Sequence, residues 1–266
     1  MQLANNGYKP RGFANALETA QDAAIIAEFK RGSPSLGVFQ RSLDPVRTAI
    51  DFASAGASCI SVLTDAKFFA GSLGFVPLIR DHLENKGYST PLLRKDFIIH
   101  PHQVWQSRAI GADAMLLIMA ALSDEQFCEL LQTGFNTDLD ILVEVHNSQE
   151  LQRAIKCIRL ENKESTSKSR IILGINNRDL ASFKTDLKVS EKLAAELKEI
   201  FAQASELTEN KILATIPIVS ESGIKTRKDI DQLMAHSIRA FLIGESLVIK
   251  GSPKENLEKL LAKNSR

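Results

Sequence analysis

The sequence predicts an α/β protein, a closed (β/α)8 barrel of the TIM type with a short N-terminal extension. Three observations predict it. Short apolar runs alternate with helix-forming segments, there are eight of each, and 266 residues is an ordinary length for eight such units. The apolar runs are Ala24–Lys30, Cys59–Thr64, Leu92–Asp96, Ala114–Ile118, Ile141–Val145, Ile171–Asn176, Pro217–Ser220 and Ala240–Ile243. Each is apolar at both alternating positions, as a parallel strand covered on both faces must be.

The segments between them read as helices: Val46–Ala55, Leu73–Lys86, Pro101–Ile110, Ser123–Gln132, Ser148–Leu160, Leu187–Ala204, Thr226–Ala235 and Pro253–Lys263. Asp44-Pro45 supplies an N-cap and a proline at the first helical position. Ser123 with Gln126 forms a capping box. Gly56 and Gly111 stand where a helix should stop and the chain should turn into a strand. The competing architecture, an open doubly wound sheet, would want a GxGxxG turn after the first strand; the chain reads FKRGSPSLG there. Two segments look peripheral. Phe13, Ala14 and Leu17 form one helical face suited to closing the barrel bottom, and the polar stretch Glu161–Arg170 reads as an exposed, mobile loop. One barrel domain is expected over residues 1–266, with 1–22 as the extension.

Lys plus Arg total 33 against 32 Asp plus Glu, so nothing suggests a nucleic-acid surface or a polybasic membrane contact. The three cysteines, Cys59, Cys128 and Cys157, are widely spaced in sequence, odd in number and outside any metal-type pattern. The first residues lack an apolar signal-peptide core, and no apolar run approaches a membrane span. A soluble, cytoplasmic protein with reduced thiols is expected.

Chemistry should lie where the strands end, at the C-terminal face of the barrel. Glu28 and Lys30 are two apart after the first strand and therefore share a face. Lys95 shares the face of Leu93, and Glu144 is a lone carboxylate in an apolar strand. Such charges are costly in a barrel interior unless paired or used. Asn176 and Arg178 follow the sixth strand, Glu221-Ser222-Gly223 the seventh and Gly244-Glu245 the eighth. The last two turns, small and glycine-containing, look like helix N-termini able to hold a phosphate. Lys30, Lys95 and Arg178 balance Glu28, Glu144 and Glu221, and the carboxylates should keep both lysines protonated, one of them poised as a general acid. This is a proton-transfer site with an anion handle. His100 and His102 flank a helix start without further ligands, so no metal is expected. The serines lack a nucleophile-elbow context, and Phe68, Phe69 and Phe97 fit either core or an aromatic-ligand wall.

IIAEFKRGSPSLG, VLTDAKFFAGS, LLRKDFIIHPHQV, GADAMLLIMAALSDEQ, LVEVH, GINNRDL, VSESGI and LIGESLV follow one another in an order that resembles the indole-3-glycerol phosphate synthase family. The resemblance implies a cofactor-free, metal-free lyase of tryptophan biosynthesis. It would close the ring of 1-(2-carboxyphenylamino)-1-deoxyribulose 5-phosphate, with loss of carbon dioxide and water. Lys95 matches the general acid and Glu144 the base or proton relay. Lys30 matches the holder of the anthranilate carboxylate; Glu28, Asn176 and Glu221 match groups that orient the sugar hydroxyls and ring nitrogen. Ser33, Arg178, Ser222, Gly223, Gly244 and Glu245 match phosphate and substrate-binding stretches, with the Glu245 side chain turned away from the dianion. Phe69, Phe97, Leu180 and Leu242 match apolar walls around the aromatic ring. The iminium formed on ring attack would itself be the electron sink. Relative to the family the N-terminal extension before Glu28 is short. Two other readings keep the barrel: an isomerase of a related phosphorylated amino sugar, and a phosphometabolite-binding barrel without turnover. A monomer is expected, with weak association with pathway enzymes left open.

Overall fold

Eight strands close the barrel: β1 Ala24–Phe29, β2 Cys59–Leu63, β3 Leu92–Lys95, β4 Ala114–Ile118, β5 Asp140–Val145, β6 Ile171–Asn176, β7 Ile218–Glu221 and β8 Ala240–Ile243. Neighbours pair in chain order, all parallel, and β8 returns to β1 through Ala24↔Ala240 to Ala27↔Ile243. The computed structural model describes residues 7–161, 170–204 and 216–262. The stretch 162–169, expected as a loop, therefore lies outside the described residues.

The period-two alternation sorts each strand into two cores. Inward residues such as Ile26, Leu93, Leu116, Leu142 and Ile172 fill the barrel, while Ile25, Ile60, Met115, Ile141 and Phe241 pack outward under the helices. The helices are α1 Phe13–Glu18, α2 Pro45–Ser54, α3 Ala66–Phe69, α4 Phe75–Asn85, α5 Pro101–Ala109, α6 Asp124–Phe135, α7 Ser148–Glu161, α8 Lys188–Ala204, α9 Arg227–Ala235, α10 Glu245–Val248 and α11 Pro253–Leu261. Their signals are the expected ones. Asp44 caps α2 by accepting from the Arg47 amide, Ser123 and Gln126 close a capping box on α6, and Gly56 and Gly111 take positive φ after α2 and α5. Three short elements carry no periodic signal: α3, α10 and a 3-10 turn at Met119–Ala121. A small antiparallel ribbon, Gly32–Ser33 with Gly37–Val38, stands over the end of β1.

α1 closes the bottom. Phe13, Ala14 and Leu17 are buried against the inward residues of the strands. Two carboxylates at the strand starts hold this cap. Asp140 Oδ2 accepts from the Ala14 amide, and Asp113 Oδ1 accepts from the Arg11 amide and the buried Arg80 guanidinium. Cys128 and Cys157, 29 residues apart in sequence, meet across α6 and α7 with sulfurs 2.7 Å apart. Among the described residues no helix is long and apolar enough to cross a membrane.

Candidate active site

The ring expected at the strand ends is assembled. Glu28, Lys95, Glu144 and Glu221 come from β1, β3, β5 and β7, and alternate strands contribute side chains to one layer of a closed barrel. Lys95 Nζ lies 2.8 Å from Glu144 Oε2 and 3.1 Å from Glu221 Oε2. Lys30 Nζ lies 2.8 Å from Glu28 Oε1. Asn176 Nδ2 donates to Glu144 Oε1 over 3.2 Å, and its own Oδ1 accepts from the Arg178 amide. Two glycines make room. A Cβ on Gly244 would stand 2.5 Å from Glu28 Oε1 and 3.1 Å from Lys30 Cε, and one on Gly174 would collide with Glu221 Oε1.

Burial and charge act on these groups in opposite directions. Burial disfavours the Lys95 ammonium, but Glu144, Glu221 and Glu28 outweigh it and raise its pKa, so the lysine carries its proton at neutral pH. Burial would also protonate Glu144, yet the charges of Lys95 and His146 hold it far below the usual carboxylate range. For Glu221 burial wins: it and the neighbouring Glu144 charge push the carboxyl up to about 8 against the pull of Lys95. The expected charge balance is therefore corrected. Of three carboxylates counted as charged, Glu221 holds a proton near neutrality, because Lys95 cannot fully compensate two buried carboxylates at once.

Two connected compartments open above the ring. One, of about 590 Å³, is bounded by Arg178, Ser222, Gly223, Leu242, Gly244 and Glu245. The other, of about 290 Å³, is walled by Phe69, Phe97, Leu116, Ile118, Leu180 and Phe183, with Ser33 at its edge. Glu28, Lys30, Lys95 and Arg178 face both. Phe97 packs against Phe68 and Phe69, and Phe97 and Leu180 remain exposed at the rim.

Two placements differ from expectation. The Glu245 side chain is not turned away: its Oε1 sits 3.1 Å from Arg178 Nη2 and 3.8 Å from Lys30 Nζ, drawn there by two cations facing one carboxylate. Leu242 borders the larger compartment and not the one walled by Phe69 and Phe97, and β1 stands between its strand and β2. Ser33, expected among the phosphate and substrate-binding residues, borders the apolar compartment, carried there by the Gly32–Ser33 ribbon. The two glycine turns also divide. Gly244 heads α10 directly. The turn at Ser222 and Gly223, both at positive φ, ends three residues before α9, whose N-terminus is already capped by Thr226 and Asp229. Only one of the two turns is thus a helix start.

Sequence reasoning missed two supports. Buried Asn177 donates to Ser220 Oγ, Glu221 O and Ser222 O, and so pins the end of β7 to β6. His146, two residues past Glu144 and hence on its face, is clamped between Glu144 and Glu150. The alternation within LVEVH was a usable signal for the second. His100 caps α5 by accepting from the His102 amide, as a helix-start residue would. Among the described residues no group of three or more His, Cys, Asp or Glu side chains is arranged so that it could hold a metal ion.

A family model described as "Indole-3-glycerol phosphate synthase" matches residues 2–260. A relative of that name from Acinetobacter baylyi is 40% identical over 250 residues, covering 94% of this chain and 82% of its own. Another from Prochlorococcus marinus strain AS9601 is 42% identical over 248 residues, covering 93% of this chain and 76% of its own. Among solved structures, 3-hexulose-6-phosphate synthase superposes with a TM-score of 0.57 at 12% identity, covering 89% of this chain and 97% of its own. Triosephosphate isomerase from Bartonella henselae gives 0.54 at 14% identity, covering 84% and 92%. At those identities the likeness is one of fold alone.

Proposed function

The chain belongs to the indole-3-glycerol phosphate synthase family, and on that premise we propose how its ring carries out the reaction. The activity is a decarboxylating ring closure in tryptophan biosynthesis. The substrate is 1-(2-carboxyphenylamino)-1-deoxyribulose 5-phosphate, and the products are indole-3-glycerol phosphate, carbon dioxide and water. The observation that carries the assignment of roles is Lys95 wedged between Glu144 and Glu221 at the junction of an apolar and a polar compartment.

The ring carbon bearing the carboxylate attacks the sugar ketone. A carbon–carbon bond forms, the ketone oxygen gains negative charge, and Lys95 protonates it. Glu144 and Glu221 keep the ammonium loaded at neutral pH, and a developing alkoxide is basic enough to take its proton. The iminium left in the ring accepts the electron pair of the C–CO2 bond, and carbon dioxide departs. The new hydroxyl then leaves as water on a second protonation, and Glu144 takes the proton from the adjacent sugar carbon. Protonated Glu221, with Asn176, supports this dehydration by orienting the hydroxyl.

Binding follows the two compartments. Phe69, Phe97 and Leu180 wall the aromatic ring, and Lys30 holds its carboxylate. An ion contact at about 4 Å is worth roughly 4 kcal/mol at an effective dielectric near 20, before desolvation. Arg178, Ser222, Gly223 and Gly244 receive the phosphate, and Glu245 must release Arg178 and swing aside as the dianion enters. Every member of the ring comes from one chain, which supports action as a monomer. The test is direct: purified protein incubated with the substrate should generate indole fluorescence, and a Lys30→Ala variant should need about tenfold more substrate. Absence of indole product from the wild-type protein would overturn the reading.

A further inference from the structure

The reaction consumes a proton that must be restored to the ring after every turnover. Two protons are added to the ketone oxygen before it leaves as water, and one returns from the sugar carbon. The balance is one proton consumed per turnover, because a carboxylate leaves as neutral carbon dioxide. Lys95 and Glu144 are both nearly sealed, with side chains 12% and 4% exposed. Each cycle must therefore return one proton to a buried pair.

His146 bridges that pair to a different space. Its Nε2 is buried and lies 3.3 Å from Glu144 Oε1. Its Nδ1 is 3.0 Å from Glu150 Oε2, and its amide donates to the same oxygen. Glu150, in the first turn of α7, is fixed in turn by Asn147. His146 lines neither compartment of the substrate site. It borders a separate cavity of about 240 Å³ behind Asn176, whose Asp179 and Lys184 are exposed to solvent.

We propose that His146, held by Glu150, is the route by which the solvent proton reaches Glu144 and then Lys95. This rests on the roles given above to Lys95 and Glu144, and His146 acts through Glu144 without touching the reacting atoms. Burial disfavours a charged imidazole, but Glu144 and Glu150 override it and raise its pKa to about 9, so the proton is in place at neutral pH. Asp179, from the loop after β6, adds to the same field. At rest Glu144 does not take that proton, because the Lys95 charge holds its pKa down. Once Lys95 has spent its proton, the restraint is gone. Glu144 becomes basic enough to accept from His146 and pass the proton on, and the imidazole reloads from the outer cavity.

The experiment measures kcat and KM for His146→Ala and His146→Gln, with and without added imidazole. Loss of a relay lowers kcat about ten- to a hundredfold, on the scale of a lost acid–base group, and leaves KM within about twofold. Imidazole should restore most of the loss in His146→Ala, since a small proton carrier fits the space that the ring vacated; a purely structural role would not respond. A His146→Gln variant with unchanged kcat, or a His146→Ala loss that imidazole never restores, would overturn the proposal. Glu144→Gln separates the two levels. It should be slow with or without imidazole; full activity there would refute the role of Glu144 itself, whatever His146 does.

Discussion

The two ends of the barrel treat buried charge in opposite ways. At the bottom, Asp113 receives the Arg11 amide and Arg80 on one oxygen and the Leu92 amide on the other. Asp140 receives the Ala14 amide. At the top, Lys95 is shared between two carboxylates, and Glu221 Oε1 is buried without a hydrogen bond. Both oxygens of Asp113 are bonded, although the Nε of its partner Arg80 is not, and with Asp140 it holds the N-terminal cap in place. The top ones are left partly unsatisfied, and groups in that condition can move protons when a substrate arrives. The same strands thus carry stability at one end and reactivity at the other.

Substitutions can break this contrast. The largest effect on stability is expected at the bottom. Asp113→Ala leaves Arg80 buried without its ion pair and should cost about 3 kcal/mol in denaturant unfolding, with kcat within about twofold of wild type. A large loss of kcat in the folded variant would blur the division. Gly244→Ala is the converse. The methyl group displaces Glu28 and Lys30 from the site. We expect kcat/KM about tenfold lower with little change in melting temperature. A smaller effect sharpens the picture of the ring. The Glu221 carboxyl is raised to about 8 from its ordinary 4.5, so the fold binds a proton there that the unfolded chain releases. Stability should therefore decline as pH rises from about 5 through 8, and Glu221→Gln should flatten that part of the curve. His146, raised to about 9 from 6.5, extends the decline upward, since its contribution is full below 6.5 and lost as pH rises through 9. Stability profiles of the wild type and both variants, measured at stepped pH, decide this.

The frame was legible because it rests on local rules. Apolar runs marked all eight strands, and caps at Asp44 and Ser123 and stops at Gly56 and Gly111 marked helix ends. The helical turns α3 and α10, four residues each, are too short for a helical period to register. The ring was legible for a related reason: Glu28, Lys95, Glu144 and Glu221 are charges at inward positions of apolar strands, and such a site must pair or use them. Their distribution of protons was not. It depends on Lys95 being nearly equidistant from two carboxylates that are 77 residues apart in the chain. Nor was the direction of the Glu245 side chain, which Arg178 decides from 67 residues away. Long-range geometry is what a one-dimensional pattern omits.

The central claim is that Lys95 delivers the proton that closes the ring. Single-turnover indole formation by Lys95→Ala, with substrate binding measured in parallel, tests it most directly. Ring closure should be at least about a hundredfold slower, with binding largely kept. A variant that closes the ring within a few-fold of the wild-type rate would contradict it.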